Sequence, residues 1–150
     1  MSVTIKNLEA AFAGESQAHV KYRYFAKLAR EQGYEEVAKH FEHTAEQEVK
    51  HAWGHLELLV GTPNVNDSLQ MAIDGETYEY TEMYPKMYDE AVAEGNDQAA
   101  KEAQNQIQES VEHAEEFKKV LELAAKRFKA LQGAEKVHAS KYQQMKQEIA

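Results

Sequence analysis

The chain has 150 residues, a formal net charge of −9, two prolines, seven glycines and no cysteine. That length supports one domain with a sizeable core, and the acidic balance argues against nucleic acid and anionic membrane surfaces as partners. The missing cysteine excludes disulfides, thiolate catalysis, Cys-zinc sites and iron–sulfur centres within these residues, so any metal must be held by oxygen and imidazole. No apolar run approaches the ~18 residues of a membrane span, and Met-Ser-Val-Thr-Ile-Lys has no apolar h-region. The expectation is a cytoplasmic protein without a secretory signal.

The pattern predicts an all-α chain. Helix A is expected over about Thr4–Gln32, where Leu8, Ala11, Phe12, Glu15, Ala18, Tyr22, Phe25 and Leu28 repeat at 3–4 spacing and Gly33 stops the helix. Helix B is expected over about Glu35–Val60, with Val37, Phe41, Ala45, Glu48, Ala52, Leu56 and Leu59 on one face. Gly61-Thr-Pro63 ends it. Helix C is expected over about Ser68–Glu94, with Pro85 inside it, where it should kink the helix or perturb its hydrogen bonds. Gly95-Asn96 turns the chain into helix D, about Asp97–Leu131. A break near Gly133 is expected before a further helix over about Ala134–Glu148.

Carboxylates stand on these apolar stripes, and a lone charged carboxylate is rarely buried. Glu15 shares a stripe with Phe12 and Tyr22. Glu48 and His51 form a Glu-x-x-His pair, whose i and i+3 side chains share a helix face and can reach one metal. Glu76 and Glu79 form Gly75-Glu-Thr-Tyr-Glu79. A glutamate from each of two helices and a Glu-x-x-His from each of two others is how a four-helix bundle builds a dinuclear metal site. In helix D two pairs compete. Glu79 lies 16 residues before Gly95, so an antiparallel partner should lie about 14–18 residues after it, which Glu109 and His113 satisfy. Their spacing is i, i+4, and Ser110 stands three before the histidine. Glu135 and His138 have the better spelling but lie about 25 residues further on, roughly 37 Å along a straight helix. Geometry favours Glu109 and His113. His19, His40, His43 and His55 have no matching carboxylate pattern.

Phe12-Ala-Gly-Glu-Ser-Gln-Ala18, Thr44-Ala-Glu-Gln-Glu-Val-Lys-His-Ala52 and Gly75-Glu-Thr-Tyr-Glu-Tyr-Thr-Glu-Met-Tyr-Pro85 together resemble the rubrerythrin family over about residues 4–117. The resemblance implies a ferritin-like four-helix bundle, here about 4–131 with an extra C-terminal helix about 134–148, forming a single diiron domain over 1–150. It implies two iron ions, with manganese or zinc as substitutes, held by Glu15, Glu48, His51, Glu76, Glu79, Glu109 and His113. It implies that His51 and Glu79 are alternative ligands of one iron, and that Tyr22 and Tyr84 act beside the site. The implied activity is peroxidase: hydrogen peroxide is reduced to water in oxidative-stress defence. The alternative is a ferroxidase or iron-binding protein using dioxygen. Many relatives carry a four-cysteine rubredoxin module; without cysteine, electron transfer must start from an external donor, a rubredoxin or a flavoprotein reductase. Finally, the short B–C connection must travel along a ferritin-like bundle, which points to a homodimer, domain-swapped, in which C–D of one chain completes A–B of another.

Overall fold

The structure, a computed structural model, describes residues 2–148, and those residues are almost entirely helical. The helices are α1 (Val3–Glu31), α2 (Glu35–Val60), α3 (Val65–Tyr78), α4 (Tyr84–Ala93) and α5 (Asp97–Glu148), with a π-helical turn over Glu79–Met83 between α3 and α4. The chain divides into two compact units, Met1–Thr62 and Pro63–Ala150.

The first unit is the α1–α2 hairpin. Ser2 caps α1 by accepting from the Ile5 N–H, a contact of the kind that contributes about 1 kcal/mol. Gly33 ends α1 at φ 83°. The Tyr34 N–H donates to the Ala29 carbonyl and the Gly33 N–H to that of Arg30, the paired bonds of a Schellman motif. Ala38, Ala45 and Ala52 recur every seven residues along α2, and all three are buried with Ala26 of α1. Such a seam of small side chains lets two helices approach closely. Beside it, Phe41 packs against Tyr22 and Phe25 at ring centroid distances of 5.9 and 5.6 Å. On the exposed side Arg30 forks between Glu35 and Glu42, which holds the start of α2 against the end of α1.

The second unit packs α3, the π turn and α4 along α5. Helix α3 begins at Val65, earlier than the expected Ser68, because Asn64 accepts from the Asp67 N–H and caps it. Gly95 and Asn96 repeat the Schellman bonding, and Asn96 then accepts from the Ala99 N–H at the start of α5. Ile73, Ala91, Ala100, Ala103, Ser110 and Ala114 are buried here.

One expectation takes a specific form and one needs correction. At Pro85 it is the hydrogen bonding of helix C that is perturbed. The strain is absorbed ahead of it by the π turn, and Pro85 sits in the first turn of α4, where its missing N–H costs least. The chain does not break at Gly133. Residues 134–148 are helical, but they continue α5 without interruption to Glu148. Gly133 lacks the positive φ of a helix-ending glycine, and its neighbours are good helix formers.

Candidate metal centre

Each unit brings carboxylates and a histidine together. In the first, antiparallel pairing sets Glu15 level with the Glu48–His51 pair, since His51 lies as far beyond Gly33 as Glu15 lies before it. One ligand atom from each of Glu15, Glu48 and His51 lies within 4.8 Å of the other two. His51 Nδ1 is 3.0 Å from Glu48 Oε2 and 3.9 Å from Glu15 Oε2. The Glu48 side chain is 17% exposed and that of His51 58%, so the carboxylate is the inner group and the imidazole the outer one. No cation side chain pairs with Glu15 or Glu48 other than this histidine, among the described residues.

In the second unit His113 Nδ1 lies 3.4 Å from Glu76 Oε2. That oxygen is buried and accepts no hydrogen bond among the described residues. An unsatisfied buried carboxylate oxygen facing an imidazole is costly, and a divalent cation would satisfy it. The residues present therefore fit a metal ion held by oxygen and nitrogen donors. Glu79 opens the π turn, and its Oε2 accepts a hydrogen bond of 3.0 Å from Ser110 Oγ. Glu109, one residue before Ser110, is exposed, and it makes no hydrogen bond or ion pair among the described residues. Glu135 and His138 are exposed on the distal part of α5.

The π turn also places Tyr84. Its N–H donates to the Glu79 carbonyl five residues back, which returns residue 84 towards the side that carries Glu79. Burial pushes the Tyr84 phenol up, and the negative charges of Glu79, Glu76, Glu102 and Glu109 push it further, so Tyr84 keeps its proton. Tyr22 belongs to the aromatic cluster of the first unit.

Three further groups support these clusters. His19 Nδ1 donates to the Ala45 carbonyl at 2.8 Å, tying α1 to α2 between Glu15 and the aromatic cluster; no sequence signal marks it. Glu102 adds its charge around Tyr84. Ser110 was visible only as the residue three before His113.

A family model described as Rubrerythrin matches residues 6–121. This chain belongs to the rubrerythrin family. It is 35% identical to a putative rubrerythrin of Methanocaldococcus jannaschii, over 81% of this chain and 70% of that protein. It is 40% identical to nigerythrin of Nitratidesulfovibrio vulgaris, over 76% of this chain and 63% of that protein. Among solved structures, nigerythrin in a fully reduced, all-ferrous state is 35% identical, with 81% of this chain and 67% of that one covered and a TM-score of 0.40. The chain thus spans about two thirds of the length of these relatives. Rubrerythrins are iron-binding oxidoreductases of all-α, ferritin-like build, and the clusters of Glu15, Glu48, His51, Glu76 and His113 lie within the matched segment.

Proposed function

We propose that the two clusters serve one dinuclear iron centre that reduces hydrogen peroxide to water. The observation that carries this reading is the convergence of Glu15, Glu48 and His51, three metal-ligating side chains for which a close-packed helical hairpin has no structural need. Glu15, Glu48, His51, Glu76, Glu79, Glu109 and His113 would hold the two ions, with manganese or zinc as substitutes. When bound, two ferrous ions supply the two electrons that split the O–O bond.

The protein's own part is charge and proton management. The carboxylates neutralise two divalent cations and offset the cost of burying them. Reduction of one peroxide to two waters consumes two protons. Tyr84 retains its proton beside Glu79 and Glu76 and is our candidate donor, with Tyr22 as its counterpart in the first unit. His51 and Glu79 are proposed as alternative ligands of one ion, so that a neutral imidazole and a carboxylate exchange as the ion's charge changes. Electrons come from an external donor, a rubredoxin or a flavoprotein reductase, because these residues hold no cysteine for an intrinsic relay. The proposed setting is cytoplasmic; no helix among the described residues is long and apolar enough to cross a membrane.

A homodimer is part of the proposal. The link between α2 and α3 is only Gly61–Asn64. In a ferritin-like topology it must cover about 30 Å so that Glu76 stands level with His51. Four linking residues reach only about 18 Å. Exchange of the second unit between two copies removes the conflict. A monomer by light scattering that still binds two irons per chain would contradict the exchange.

The alternative, a ferroxidase or iron-binding protein, shares the ligands and differs in oxidant. Stopped-flow oxidation of the ferrous-loaded protein, by peroxide and separately by dioxygen, separates them. Much faster oxidation by peroxide is expected. Faster oxidation by dioxygen would replace the peroxidase reading with the ferroxidase one.

A further inference from the structure

We propose that the distal half of α5 pairs antiparallel with the same segment of a second copy of this chain, with Glu135 and His138 forming the polar layers at the two-fold axis. The inference stands apart from the dinuclear reading and concerns residues that reading does not use.

One seam runs the length of α5. Ala100, Ala103, Ser110 and Ala114 follow one another at steps of three, four or seven residues, and all four are buried in the part of α5 that packs along α3 and α4. The same alternation of three and four continues through Phe128, Leu131, Glu135, His138, Tyr142 and Met145. A repeat of 3.5 residues is what one helix presents to another in a coiled coil. Helix α3, however, begins only at Val65, which lines one groove with Phe128 and Leu131. Every described side chain from 125 to 147 is exposed, Tyr142 to 73% and Phe128 to 55%. A seam that is closed in its first half is therefore open in its second, and its period calls for a helix as occupant.

The residues of the seam select a second copy and a direction. About a two-fold axis between Glu135 and His138, Phe128 meets Met145 of the second copy, Leu131 meets Tyr142 and Glu135 meets His138. Symmetry doubles each layer, so four apolar layers flank two in which an imidazole N–H can donate to a carboxylate. A slip of one heptad would set Glu135 against Leu131 and His138 against Phe128, leaving both polar groups unpaired, so the pair fixes the register. Charge fixes the direction. Lys141 and Lys146 flank the seam, and in the antiparallel pair they face Ala134 and Ala125 of the second copy. A parallel pair would set Lys141 beside Lys146 and Glu135 against Glu135, like charge on like charge. Lys126, Lys129 and Lys136 stand at outer positions of the repeat.

The test is disulfide trapping in the full chain, which has no cysteine of its own. Leu131→Cys and Tyr142→Cys chains are oxidised in a glutathione buffer, each alone and as an equal mixture, with folding checked by circular dichroism. In the antiparallel pair residue 131 faces residue 142, whereas the two copies of residue 131 stand about 16 Å apart along the axis, beyond disulfide reach. The mixture should give about tenfold more cross-linked dimer than either variant alone. Exchange of the second unit does not alter that expectation, because the disulfide reads only what lies beside residues 131 and 142. Cross-linking of each variant alone as readily as in the mixture would mean a parallel pair and overturn the proposal. Cross-linking in none would mean that the seam takes a different occupant and would overturn it too. If either variant does not fold, Phe128→Cys with Met145→Cys carries the same expectation. Glu135→Lys added to the trapping pair should cut the yield about tenfold, and an unchanged yield would overturn the role given to the polar layers.

Discussion

The α1–α2 hairpin and the α3–α5 unit gather similar carboxylate and histidine groups by different routes. The hairpin keeps two uninterrupted helices, a seven-residue alanine seam and a Glu-x-x-His pair written in consecutive turns of α2. The second unit interrupts its ligand helix with a π turn and places serine where the hairpin has glutamate. The difference teaches that a helix pair can gather carboxylates and a histidine with or without a π turn, and that a π turn re-aims the residues on either side of it.

The comparison can be broken most severely at the hairpin's inner carboxylate. Glu48→Ala should remove the ion of the first unit and lower the melting temperature of the metal-loaded protein, because binding stabilises only the folded state. In the metal-free protein the same change should raise the melting temperature slightly, since it removes a largely buried charge. A rise in both states would mean that Glu48 binds no metal. Next in size is the seam. Ala45 is 0% exposed, so Ala45→Leu should cost about 1–3 kcal/mol by overpacking, measured by denaturant unfolding. An unchanged midpoint would show that the helices can separate there without loss.

Two glycines give a smaller and opposite pair of effects. Gly33 needs φ 83°, and Gly33→Ala should destabilise by about 1–2 kcal/mol. Gly133 lies inside α5 with open space where a Cβ would stand, and Gly133→Ala should stabilise by up to about 1 kcal/mol. Destabilisation at 133 would mean that α5 does break there. The subtlest test is the Tyr84 phenol, whose ordinary value is 10.0. It should ionise above that value in a phenolate absorbance titration, and Glu79→Gln should bring it down. Because the folded protein holds this proton more tightly, the stability it contributes is present below pH 10 and is lost as pH rises through the folded value. A phenolate forming at or below the ordinary value would remove Tyr84 as a proton reservoir.

Much of this was legible in the residues. Apolar stripes at 3–4 spacing, with Gly33, Gly61 and Gly95 at positive φ between them, marked the helices of both units. Glu15 stood on the predicted apolar stripe of one helix and Glu48 with His51 on a shared face of the next, and the three lie together. What escaped the reading has common physical roots. Gly133 looked like a stop because glycine permits a left-handed turn, but permission is not a requirement, and strong helix formers on both sides carried the helix through. Pro85 suggested a kink or perturbed hydrogen bonds without saying where, and the perturbation lies upstream, in a turn with a different hydrogen-bond register. Ser110 carries no charge, so a search for ligands passes over it, although its spacing from His113 repeats that of Glu48 from His51.

The most direct test of the central claim is magnetic. The protein should be loaded with two irons per chain, oxidised, and followed by electron paramagnetic resonance through one-electron reduction. One dinuclear centre predicts a silent, spin-coupled diferric state that gains a mixed-valent signal on partial reduction. Two independent high-spin ferric signals, present from the start and merely fading on reduction, would show that the half-sites work apart and would contradict the account.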